Sequence, residues 1–160
     1  AVIGGAAVVY ASYYAGVTIK EHHQAQKQHN AFRMLCALNS IDMAKIRKLV
    51  DSIDPDKVAP NELYKTILTD EELLASITSL LGTFEDVSIG IRAGYLDEDV
   101  LFYSMGFMVP WNFRKLERYI EEERKRTKES HLFCEAESLA RAWGKKESLC
   151  SSKKYSFPMG

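Results

Sequence analysis

The stretch Thr69–Ala93, TDEELLASITSLLGTFEDVSIGIRA, decides how this chain folds. Leu73, Ile77, Leu80, Leu81, Phe84, Val87 and Ile91 recur at steps of three and four, which lines one face of an α-helix with apolar side chains. Thr69 followed three residues later by Glu72 reads as a capping box, so the helix is expected to start there. Gly94 supplies its stop.

Toward the C-terminus the same grammar repeats. Asp97 is the expected cap of a short helix through Met105, closed by Gly106. Pro110 fits the first position of a longer helix that runs to about Lys128. Its apolar positions are Trp111, Phe113, Leu116, Tyr119 and Ile120, and its outer face pairs Glu121 with Lys125 and Glu122 with Arg126. A last amphipathic helix spans His131 to Trp143. Residues 144–160 read as a flexible tail.

Toward the N-terminus, a short helical turn is expected from Pro60 to Leu68. Before it, Phe32, Leu35, Cys36, Met43, Ile46, Val50 and Ile53 suggest one amphipathic helix over Ala31–Ile53, ended by Asp54-Pro55-Asp56. No alternating strand pattern with turn chemistry interrupts these periods. The class is all-α: a helical domain over 31–143, a bundle of about four to five helices.

The first nineteen residues, AVIGGAAVVYASYYAGVTI, carry no charge, and as a helix they would rise about 28 Å, close to the thickness of a bilayer's hydrocarbon core. A transmembrane helix over 1–19 is the favoured reading, expected to begin upstream of Ala1. A signal-peptide core, with Val9-Tyr10-Ala11 as a small-residue cleavage site, and a buried soluble helix are the alternatives. Lys20, Lys27 and Arg33 follow the span, which places the bulk of the chain on the cytoplasmic side of the membrane as a single-pass protein. Residues 20–30, KEHHQAQKQHN, continue the helix as a stalk. Small residues Gly5, Ala7, Ala11, Ala15 and Gly16 would let a second membrane helix approach closely.

The 160 residues are 46% apolar and 27% charged, enough for one packed domain. Twenty-one Lys and Arg against 22 Asp and Glu give a net charge of -1, which argues against nucleic acid as a partner. Three cysteines without CxxC spacing argue against a disulfide framework or structural zinc. His22, His23 and His29 lack the i, i+4 spacing that would aim two imidazoles at one ion. Phosphate-loop, GxGxxG, HExxH, GxSxG and EF-hand patterns are absent. These patterns therefore point to no catalytic residue, no metal and no cofactor.

The one polar constellation beside the core stripe is Glu85, Ser88 and Arg92. Glu85 and Arg92 are two turns apart, so a third group is expected to join them, with Arg114 or Lys115 the suggested partner across a helix–helix contact. Asp97-Glu98-Asp99 reads as a charged helix start.

The segment Leu80 to Lys128 resembles the bacterial family labelled domain of unknown function 4760. Phe84, the acidic pair Glu85 and Asp86, Ile89-Gly90, Gly94, Asp97 and Trp111 carry the likeness. The resemblance implies an N-terminal membrane span followed by a small helical domain, and no catalytic residues. Two functional readings follow. The chain is either a membrane-anchored interaction module, self-associating or an accessory subunit among other membrane proteins, or an effector or enzyme acting at the membrane in bacterial conflict or phage defence.

Overall fold

The computed structural model describes residues 3–54 and 60–152. They form helices α1 (Ile3–Leu38), α2 (Ile41–Asp51), α3 (Pro60–Thr69), α4 (Glu71–Arg92), α5 (Glu98–Met105), α6 (Met108–Thr127) and α7 (Cys134–Ser152). No strand occurs among the described residues.

Helix α4 is the hub, packed against α2, α3 and α7, while α6 closes on α3 and α7. Leu73, Ile77, Leu80, Leu81, Phe84 and Val87 are all buried, and Phe84 is 0% exposed. Ile91 is only half-buried. The start lies one residue later than the capping box implies. Asp70 is the N-cap and accepts from the Leu73 amide at 3.0 Å. Thr69 instead ends α3, its hydroxyl donating back to the carbonyls of Lys65 and Thr66. A carboxylate at the cap also meets the helix dipole favourably, so Asp70 outcompetes the neighbouring hydroxyl.

Gly94 stops α4 at φ +74°, in the left-handed region that glycine reaches without strain. The Tyr95 and Leu96 amides both donate to the Gly90 carbonyl, folding the chain back over α4. Leu96 then packs so close to Gly90 that an added Cβ would sit 2.5 Å from its Cδ1.

Helix α1 is continuous over 36 residues, about 54 Å. The expected span and stalk are one rod, and the rod runs eight residues into the region assigned to the next helix. The break falls at Asn39–Ser40, where the Ser40 side chain accepts from the Met43 amide to cap α2. The buried stripe at this end is Ala31, Leu35 and Leu38, whereas Phe32 is 59% exposed.

Two further differences concern the C-terminal half. Trp111 is 47% exposed and stacks on exposed Phe107 at 5.7 Å between ring centroids, so it is a surface residue rather than part of the core around Phe84. Helix α7 continues through Gly144 to Ser152, so residues 144–152 are helical where the sequence suggests a loose tail. Lys146 explains part of that extension: it pairs with Asp99 at 2.9 Å and Glu98 at 3.6 Å and lies over the Phe102 ring. Residues 153–160 lie outside the described residues.

Candidate functional site

Glu85, Ser88 and Arg92 share one edge of α4 and converge on the first turn of α7. Glu85 Oε1 accepts from the amides of Glu135, at 2.8 Å, and Ala136, at 3.2 Å. The first amides of a helix have no partner within it, and a carboxylate there also faces the positive end of the dipole. Glu85 thus caps α7 from another helix. Glu135 returns the contact: its Oε2 accepts from Ser88 Oγ at 3.2 Å, and its Oε1 pairs with Arg92 at 2.5 Å.

The third group is therefore a carboxylate on α7. Neither Arg114 nor Lys115 joins the constellation. Lys115 instead donates to the carbonyls of Val50 and Asp51, closing the C-terminus of α2. These contacts all run between α4 and the first turn of α7 and fix how the two helices meet, so the cluster is a clamp.

Phe133, immediately before α7, holds φ 58° while its ring is buried, and Lys128 at the end of α6 holds φ 59°. Two left-handed residues turn the chain sharply between α6 and α7. Arg124 ties that turn down, donating Nε to the Leu132 carbonyl and pairing with Glu137 at 2.9 Å.

A second polar cluster has no counterpart in the sequence reading. Glu123, only 9% exposed, accepts from the Tyr64 hydroxyl at 2.8 Å and from Arg126 Nε at 3.0 Å, with a further ion pair to Arg126. The Arg126 guanidinium holds the Glu123 carboxyl below its ordinary value of 4.5, with Tyr64 assisting and burial opposing. Tyr119, whose ring is tilted against that of Tyr64 at 5.9 Å between centroids, is pushed up to about 12 by burial and the Glu123 charge. The spacing of Glu123 and Arg126 is readable in the sequence, but Tyr64 lies 59 residues away.

The acidic triplet at the start of α5 is divided between two neighbours. Asp97 caps α5 through the Val100 amide at 3.2 Å and accepts from Gln24 of α1 at 2.5 Å. Glu98 accepts from the indole of fully buried Trp143 at 3.2 Å. Asp99 pairs with Lys146, whose pKa is raised by these carboxylates against the effect of burial.

Of the small residues on α1, Gly5, Ala7 and Ala11 have side-chain positions outside the described residues. Ala15 and Gly16 are exposed, and nothing lies within 4 Å of a Cβ built on Gly16. His22, His23 and His29 are exposed, and no group of three or more His, Cys, Asp or Glu is arranged for a metal among the described residues.

The model of the family described as Domain of unknown function (DUF4760) matches residues 1–143, and the chain belongs to that family. No curated protein and no solved structure matches the chain significantly.

Proposed function

We propose that this protein is a membrane-anchored helical interaction module, with α1 crossing a bacterial inner membrane and the bundle in the cytoplasm. The observation that carries the reading is the division of α1 into two halves. From Ala31 onward one face of it, Ala31, Leu35 and Leu38, is buried against the bundle, whereas Tyr10, Tyr13, Tyr14 and Ile19 are 53–70% exposed. Uncharged apolar side chains left bare over that length are what lipid covers. Lys20 marks where the charge-free stretch ends, and the polar residues beyond it suit water.

By length and composition, the described helix apolar enough to cross a membrane is α4. Its apolar side chains form the core, so its hydropathy reflects burial in protein. Glycines and tyrosines dilute the apolar character of α1, which suits a span that packs against another helix rather than lipid alone. A second copy or another membrane subunit is the partner class.

The test is fractionation of the full chain in its membrane, followed by alkaline carbonate extraction and protease digestion of sealed vesicles. Retention in the carbonate pellet, with the bundle digested only from the cytoplasmic face, supports the reading. Release into the carbonate supernatant overturns it.

A further inference from the structure

The exposed face of α6 carries chemistry that neither the clamp nor the anchor uses. Trp111, Arg114 and Arg118 fall at i, i+3 and i+7, hence on one face of the helix. They line a cavity of about 640 Å³ whose wall also carries Ile53 and the carboxylates of Asp51, Asp54 and Glu117, of which Asp51 is paired with Lys115 and Asp54 has an interaction of its own. That volume lies in the range of small-ligand sites. Lys115 forms part of the wall but is committed to α2 through the Val50 and Asp51 carbonyls and the Asp51 carboxylate at 3.6 Å. Arg114 and Arg118, in contrast, are exposed and have no carboxylate partner among the described residues.

We infer that this cavity binds a nucleotide. An exposed indole offers a flat face on which an aromatic base stacks. Two unpaired guanidiniums one turn apart offer forked donors for phosphate oxygens. Glu117 supplies a carboxylate on the same wall, the group that accepts from ribose hydroxyls. Phe107 backs Trp111 at an interplanar angle of 22°, fixing the indole so that little freedom is lost on stacking.

The ligand is a free nucleotide rather than a nucleic-acid strand. A strand needs a basic groove that tracks successive phosphates. Here the two free cations lie on one cavity wall interrupted by Asp51, Asp54 and Glu117, and the rest of α6 is neutralised by Glu121, Glu122 and Glu123. The inference is independent of where α1 resides.

The experiment titrates the full chain in detergent with adenosine diphosphate, adenosine, inorganic pyrophosphate and a short oligoadenylate, by calorimetry and tryptophan fluorescence. Trp143 is 0% exposed and cannot meet the ligand directly, so a quench lost in Trp111→Phe is assigned to Trp111. The diphosphate is expected to bind at least about ten-fold more tightly than adenosine or pyrophosphate alone, because only it engages the ring and both cations. Trp111→Phe should abolish the quench while the calorimetric affinity stays. Trp111→Ala, and Arg114→Gln with Arg118→Gln, should each weaken binding about ten-fold or more with unchanged melting. Absence of nucleotide binding overturns the inference. So does affinity unmoved by the arginine pair, or tighter binding of the oligonucleotide than of the diphosphate.

Discussion

Removing the Glu85 carboxylate should loosen the join between α4 and α7. In Glu85→Ala the amides of Glu135 and Ala136 lose their shared acceptor at 2.8 and 3.2 Å, both in a partly buried setting. Loss of a helix cap costs about 1 kcal/mol, and stranding partly buried amides raises the total to about 1–3 kcal/mol. For a domain of this size each kcal/mol moves the melting temperature by about 2–4 °C, so a drop of roughly 2–12 °C is expected. Glu85→Gln keeps a carbonyl oxygen for both amides and loses only the charge, so it should cost less than half as much. Arg114→Ala, far from the clamp, should leave the melting temperature unchanged. Thermal denaturation followed by circular dichroism measures all three. Equal damage from Glu85→Gln and Glu85→Ala, or no shift from either, would refute the capping role.

Other outcomes follow from the same contacts. Phe84→Ala should cost about 3–5 kcal/mol in chemical denaturation, since the ring is 0% exposed at the hub of the bundle. Gly144→Ala should stabilise α7 by about 0.5–1 kcal/mol, because the new methyl meets Pro110 at an ordinary 3.7 Å. Gly106→Ala should destabilise, its Cβ falling 2.5 Å from the Phe102 carbonyl, and paired melting curves compare the two. The Glu123 carboxyl is depressed on folding, so its contribution is present above 4.5 and is lost as pH falls through its lowered folded value. Glu123→Gln should flatten that acid limb of the stability–pH curve. Tyr119 is raised from 10.0 to about 12, so its contribution is complete below pH 10 and lost as pH rises toward 12; Tyr119→Phe should remove that alkaline limb. If α1 pairs with another span through its small residues, Gly16→Leu should reduce cross-linked dimer in membranes without reducing insertion.

Helix periods and stops were legible because they are local. The α4 stripe from Leu73 to Val87, the Asp97 cap and the Gly94 stop each depend on residues within a few positions of one another. The misplacements arise where two local signals compete or where a distant group decides. Thr69 and Asp70 both suit a cap, and geometry selects Asp70. Ala31–Ile53 has a helical period throughout, yet Ser40 offers its own cap and splits the stretch. Trp111 sits at a core-like interval, but the turn of α6 leaves it facing solvent beside Phe107. Among the site residues, spacing brought Glu85, Ser88 and Arg92 together. Their partner is 43–50 residues further on, and no local pattern points to Glu135 as the group they share. The Tyr64–Glu123 contact is invisible for the same reason.

The unbroken length of α1 has a mechanical meaning. Between Val17 and Leu38 there is no glycine or proline to serve as a hinge. Gln24, Asn30 and the buried Ala31 and Leu35 fasten the lower half to the rest of the molecule, so the rod and the bundle move as one lever. From Gly16 to Ala31 the arm is about 22 Å, and tilting its upper end by about 10° swings the bundle sideways by about 4 Å. Rotation about the rod axis is transmitted with equal fidelity, carrying the Trp111 face around with it. Whatever grips the first turns of α1 thereby dictates which way that face is presented.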